Sequence, residues 1–245
     1  MSSESLTLYT FETPQGFFNM SPFCVKADIL LKMANLPFNT ELPEDYKVFS
    51  KGKLPVLKDG DTIIQDSEFI RRHITDKYGE TLDGNLTAQD KATGHALIRM
   101  LEERTIMGLV QGRWIEDAGW EVLEPLFFGE LPANERTEVG KTVREQVSES
   151  LKSNGFGQHT HDEQHILLSA DIAALATLLN NRDWFFSDQP TYIDAAVFGM
   201  LVNFYAAPVP TPMAALMAAH DNLVAYVNRG LEQWYPDVLK MMAAE

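Results

Sequence analysis

A chain of 245 residues, 45% hydrophobic and 22% charged, has the apolar content for one large domain or two modest ones and lies far from disordered compositions. Its formal net charge of -15 and pI near 4.8 repel phosphate backbones and anionic lipid, so neither nucleic acid nor a membrane surface is an expected partner. Cys24 is the only cysteine, which rules out an intrachain disulfide and suits a reducing interior. Residues 1–6 lack the basic and apolar regions of a signal peptide. The longest apolar run, residues 195–202, is far short of the roughly 20 residues that cross a bilayer, and the cytoplasm is the expected compartment.

In chain order, Leu6-Thr7-Leu8-Tyr9-Thr10-Phe11 alternates apolar and polar residues and predicts a first strand, broken by Thr13-Pro14-Gln15-Gly16. Phe17, Phe18 and Met20 then put apolar side chains into a turn, where they either line a pocket or close the core. Ser21-Pro22 is a helix start, because serine caps well and proline is tolerated at the first helical position. The helix runs to about Ala34 on a stripe of Phe23, Ala27, Leu30 and Leu31, with Cys24 at its margin. Leu36-Pro37-Phe38 leads into a second short strand, and residues 46–51 are too mixed to assign.

Residues 52–74 then read as strand, turn, strand, helix. Leu54-Pro55-Val56-Leu57 is a short apolar run, Asp59-Gly60 a two-residue hairpin turn, and Thr62-Ile63-Ile64 the returning strand. Asp66 and Ser67 open a helix carrying Phe69, Ile70, His73 and Ile74, closed by Gly79. Such a start offers unpaired N–H groups and a favourable dipole to a carboxylate; the Ser67 hydroxyl adds a donor, and Asp66 can pair with an amine. An α-amino acid group fits both ends. From the residues alone, Pro55 is a strand-edge proline, with the cis form found in only about one X-Pro bond in twenty as the alternative.

Residues 80–86 are polar and aperiodic, and no strand pattern follows them. Thr87 with Asp90 makes a capping box for a long helix reaching towards Trp114, followed by a stretch punctuated by Gly and Pro. Val139, Val143, Val147 and Leu151 predict an amphipathic helix closed by Gly155. Thr160 with Glu163 caps the next helix. His161 and His165 lie one turn apart on it, but the order His-Asp-Glu-Gln-His lacks the glutamate directly after the first histidine of a zinc-protease helix, and no metal site is expected. Thr191 with Asp194 opens the most apolar helix of the chain, ended by Pro208, which makes Asp194 a structural cap. Pro210 and Pro212 read as a turn before a helix containing Leu223, Val224, Tyr226 and Val227.

A thioredoxin-like α/β domain over residues 1–80, followed by an all-α domain over 87–245, resembles the glutathione-transferase superfamily across nearly the whole chain. Ser21-Pro22-Phe23-Cys24, Gly52-Lys53-Leu54-Pro55, Asp66-Ser67, Gly155-Phe156-Gly157 and residues 190–199 together resemble its failed-axon-connections and metaxin-like branch. The resemblance implies a cis Leu54-Pro55 bond, glutathione as co-substrate held at Leu54, Pro55, Asp66 and Ser67, a small apolar electrophile as second substrate, and a homodimer. Two features depart from ordinary transferases, namely the long loop before Ser21 and Asp66 in place of the commoner Glu.

The chemistry requires the glutathione thiol as a thiolate, which a hydroxyl donor at a helix N-terminus promotes, and Ser21 is the candidate catalytic residue; its plain role is the helix cap. Cys24 stands at the second cysteine position of a C-x-x-C motif whose first position is Ser21, where it is either a redox thiol or a buried, inert one. Three functions follow: a glutathione transferase, a monothiol redox enzyme using Cys24, and a non-catalytic binding or assembly module of the metaxin kind. Serine at position 21 argues against redox exchange, and the first is preferred.

Overall fold

The computed structural model describes residues 6–13 and 17–242; the opening residues and Pro14-Gln15-Gly16, on which two of the expectations above fall, lie outside the described residues. Strand β1 (Leu6–Tyr9) is followed by helix α1 (Pro22–Met33), β2 (Phe38–Glu41), a 3-10 turn at Tyr46–Val48, β3 (Val56–Asp59), β4 (Thr62–Gln65) and α2 (Ser67–Tyr78). The sheet order is β2-β1-β3-β4, with β1 parallel to β2 and antiparallel to β3. Asp59 pairs with Thr62 across the expected hairpin, and the parallel step from β1 to β2 needs α1 as its crossover. This is the thioredoxin-like arrangement, and β1 stops two residues earlier than its alternation predicts.

Helices make up the remainder. After α3 (Ala88–Arg99) a π-helical segment, Met100–Thr105, leads into α4 (Ile106–Val110) and a second π-helical segment, Gln111–Ile115. Then come α5 (Asp117–Phe128), α6 (Ala133–Ser153), α7 (His161–Leu179), α8 (Tyr192–Tyr205), α9 (Pro212–Ala218), α10 (Asp221–Trp234) and α11 (Pro236–Met242). The fold is that of a small mixed-sheet domain joined to a helical one. Among the described residues no helix is long and apolar enough to cross a membrane.

The capping signals act as read. Thr160 accepts from the Glu163 N–H while Glu163 accepts from Thr160, and the same reciprocal pair joins Thr87 with Asp90. Two expectations give way. The stretch punctuated by Gly and Pro is helix α5, where Gly119 serves close packing: a Cβ there would stand 1.9 Å from the Gly112 carbonyl oxygen. Pro212 is not a turn filler but the first residue of α9, a position whose N–H has no intrahelical partner to lose.

Two compact units divide the chain. The first comprises Met1–His95, Asn181–Asn203 and Ala225–Glu245, the second Ala96–Asn180 and Phe204–Val224. In the first, Leu8, Ile29, Val56 and Ile70 are buried between sheet and helices, and Phe185, Phe198, Tyr226 and Trp234 form an aromatic cluster. Asp194 is fully buried there, accepting from the Phe185 and Thr191 N–H groups at 2.9 and 2.8 Å and from the Tyr226 hydroxyl at 3.2 Å. In the second, Leu109, Leu151, Phe156, Leu168, Ile172 and Met213 form the core.

Candidate functional site

Ser21, Cys24, Leu54, Pro55, Asp66 and Ser67 all lie in the first unit. Ser21 is the N-cap of α1, its hydroxyl oxygen accepting from the Cys24 N–H at 3.4 Å. Its own N–H donates at 2.9 Å to the Asn19 side chain, whose amide nitrogen donates at 2.7 Å to the Phe11 carbonyl, so the end of β1 positions the end of α1. Asn203 of α8 donates to the Asn19 carbonyl at 3.3 Å from the other side. With its oxygen occupied as an acceptor, the Ser21 hydroxyl keeps a proton to donate.

Leu54 and Pro55 are joined by a cis peptide bond, as the resemblance implies. Leu54 lies just before the β1–β3 ladder, whose final pair is Tyr9 with Val56, so its main chain is outside the sheet's register. The Pro55 carbonyl accepts from the Asp66 N–H at 3.4 Å, which ties the approach to β3 to the start of α2. Cys24 packs with Leu54 and Val56 in one buried cluster, which also links Ser21 to this group.

Asp66 is exposed and caps α2, accepting from the Glu68 N–H at 2.8 Å with φ at 88°, a value that L residues seldom adopt. One carboxylate oxygen is thus structural, and the cap leaves Oδ2 outside that hydrogen bond. Ser67 is buried at the first helical position beside it. Glu68 then locks the turn: Arg71 donates to it through Nε and Nη2, and buried Lys26 of α1 stands 3.8 Å away. Burial pushes the Glu68 carboxyl up, but the Arg71 hydrogen bonds and the charges of Lys26, Arg71 and Arg72 outweigh it and hold the group below the usual glutamate value. Arg71 also lies over the Tyr192 ring at 4.6 Å.

Cys24 is fully buried, and burial, opposed by a side-chain hydrogen bond with Ser21, drives its thiol up to about 11. It is protonated at neutral pH and lacks the thiolate that exchange chemistry needs. Asp66, Ser67 and the Leu54 main chain together offer a carboxylate oxygen, the N–H groups of a helix start and a main-chain segment outside the sheet ladder. His161 and His165 sit elsewhere, on α7 of the second unit, and among the described residues no three His, Cys, Asp or Glu form a metal-holding group. Asn19 was missed in the sequence, its only local signal being an Asn two residues ahead of an N-cap serine, and Lys26, which the apolar stripe of α1 places outside, is instead buried beside Glu68.

The family model described as glutathione S-transferase N-terminal domain matches residues 22–119, and that of the glutathione S-transferase C-terminal domain matches residues 168–230. The isoprene-epoxide–glutathione S-transferase of Rhodococcus sp. (strain AD45) is 27% identical over 236 residues, covering 94% of this chain and 99% of that protein. Failed axon connections of Drosophila melanogaster is 26% identical over 94% of this chain, which spans 58% of that protein's length. The solved structure of glutathione S-transferase III in apo form superposes with a TM-score of 0.61 at 19% identity, covering 98% of this chain and 97% of the other, and shares the fold.

Proposed function

Because the chain belongs to the glutathione S-transferase superfamily, in its failed-axon-connections and metaxin-like branch, we propose that it conjugates glutathione to a small apolar electrophile such as an epoxide. Glutathione seats its γ-glutamyl ammonium on Asp66 Oδ2 and its α-carboxylate at the start of α2 beside Ser67, and its cysteinyl main chain lies against Leu54. The glutathione thiol gives up its proton to solvent, and the Ser21 hydroxyl, keeping its own proton, donates a hydrogen bond to the thiolate sulfur, which favours the charged form at neutral pH. The sulfur then attacks an electrophilic carbon: a C–S bond forms, the ring C–O bond of the epoxide breaks, and the alkoxide oxygen takes a proton from solvent. The observation that carries this reading is Ser21, its main chain fixed by Asn19 and its hydroxyl set at the positive end of a twelve-residue helix. The isoprene-epoxide relative supports the electrophile class, and the proposed setting is a cytoplasmic homodimer.

Calorimetric titration with glutathione tests it, using Asp66→Asn, which keeps an oxygen to cap α2 while removing the charge. Saturable binding by the native chain should weaken about tenfold in the variant, the order of a charge-assisted hydrogen bond, with a melting change worth no more than about 0.5 kcal/mol. Absent binding removes the transferase reading. The similarity to Failed axon connections favours a second reading, a non-catalytic assembly module, and binding without turnover of any epoxide would select it.

A further inference from the structure

The second unit holds a cavity of about 230 Å³ between α4, α7 and α9, below the usual range of drug-sized sites and suited to a small ligand. Its floor is apolar, formed by Phe156, Leu168 and Leu216. Into its wall comes Gln111, the first residue of the second π-helical segment; only 8% of it is exposed, and its carboxamide makes no hydrogen bond to any described residue. The carboxamide is not sealed off from the cavity, so it is open to hydrogen-bond an occupant, and π-helical turns are frequent at functional sites. Gln164, also buried, spends its amide nitrogen on the Phe156 and His159 carbonyls at 3.2 Å each, which leaves its Oε1 as an acceptor.

The charges around the cavity select the ligand. Glu116 and Asp162 bring two carboxylates, and His161 and His165 bring imidazoles, while no Lys or Arg is among the described lining residues. Arg104 instead lies over the Phe156 ring at 5.2 Å and faces the Asp171 carboxylate electrostatically. The lining is therefore rich in acceptors and anionic on balance, which repels an anion. Among the described residues its carboxylates and imidazoles do not form a group that could hold a metal ion. From the unpartnered Gln111, the acceptor Gln164 and the two carboxylates over an apolar floor, we infer that this cavity is a binding site for a small organic ammonium ion with an apolar body.

The test is calorimetric titration of the full chain with benzylammonium, against benzyl alcohol and benzoate as probes of the same body with neutral and negative heads. Benzylammonium should saturate, benzyl alcohol should bind at least about tenfold more weakly, and benzoate should not bind. Gln111→Leu and Glu116→Gln should each weaken benzylammonium about tenfold. Glu116→Gln is safe for the fold because the Glu116 side chain makes no capping hydrogen bond, and it decides the matter if Gln111→Leu fails to fold. Leu216→Trp, which fills the cavity, should abolish binding. Failure of benzylammonium to saturate, equal binding of benzyl alcohol, any preference for benzoate, or benzylammonium affinity unchanged in Glu116→Gln and Leu216→Trp overturns the inference.

Discussion

Ser21 serves as cap and as proposed thiolate donor with one hydroxyl, and the two roles separate by substitution. Ser21→Ala should raise the pKa of enzyme-bound glutathione towards the free-thiol value of about 8.5, slow turnover at neutral pH, and cost about 1 kcal/mol of stability. Ser21→Thr should restore thiolate absorbance at saturating glutathione. Cys24→Ala should leave that pKa and turnover unchanged, since its thiol is buried and protonated. Should Cys24→Ala abolish activity while Ser21→Ala spares it, the roles are reversed. Asp194 gives a second test at this scale. Burial pushes its carboxyl up to about 6, against the pull of the Phe185, Thr191 and Tyr226 donors. The folded state therefore holds this proton to a higher pH than the unfolded chain, and stability from this group falls by about 3 kcal/mol as pH rises from about 4 through 6. The stability difference between the native chain and Asp194→Ala should shrink by that amount between pH 4 and 7 while staying positive, because the variant strands two buried N–H groups; a flat difference curve contradicts the raised value. The Ser21 cap was legible in the pair Ser-Pro. Asn19 was not, since its partners, the Phe11 carbonyl and Asn203, come from the end of one strand and from α8.

Elements show the same division between local chemistry and packing. α1 and α8 meet at Gly199, where a Cβ would stand 2.6 Å from the Pro22 carbonyl oxygen and 3.3 Å from the Lys26 nitrogen. Backbone atoms cannot swing aside as a side-chain tip can, so Gly199→Ala should destabilise the chain by about 1–3 kcal/mol. Chemical denaturation measures it, and an unchanged midpoint shows that the helices separate at little cost. In the sequence Gly199 was only one small residue in an apolar run. The caps at Thr87, Thr160 and Thr191 were legible because each is closed within four residues. Helix α5 was not, because Gly119 and Pro125 carry the local marks of a break. Its place is set by packing: Gly119 meets the backbone of Gly112, and Trp120 and Phe127 pack on Trp114.

At the scale of the whole molecule, a net charge of -15 means self-repulsion that salt screens. Raising NaCl from about 20 to about 200 mM should lift the melting temperature by about 2–4 °C, the shift expected for about 1 kcal/mol in a chain of this size. A fall on adding salt shows instead that attractive pairs such as Lys77 with Asp59 dominate. The sequence by itself determined the order of strands and helices, the hairpin at Asp59-Gly60, the helix starts and the acidic-serine pair at Asp66-Ser67. These depend on periodicity, turn chemistry and side-chain-to-backbone bonds that close within a few residues. Only the tertiary structure decided that Asn181–Asn203 and Ala225–Glu245 join the first unit, that Cys24 is sealed and protonated, and that Gln111 is buried without a described partner. Burial and close approach depend on residues distant in sequence filling the same space, and no local pattern encodes which ones arrive.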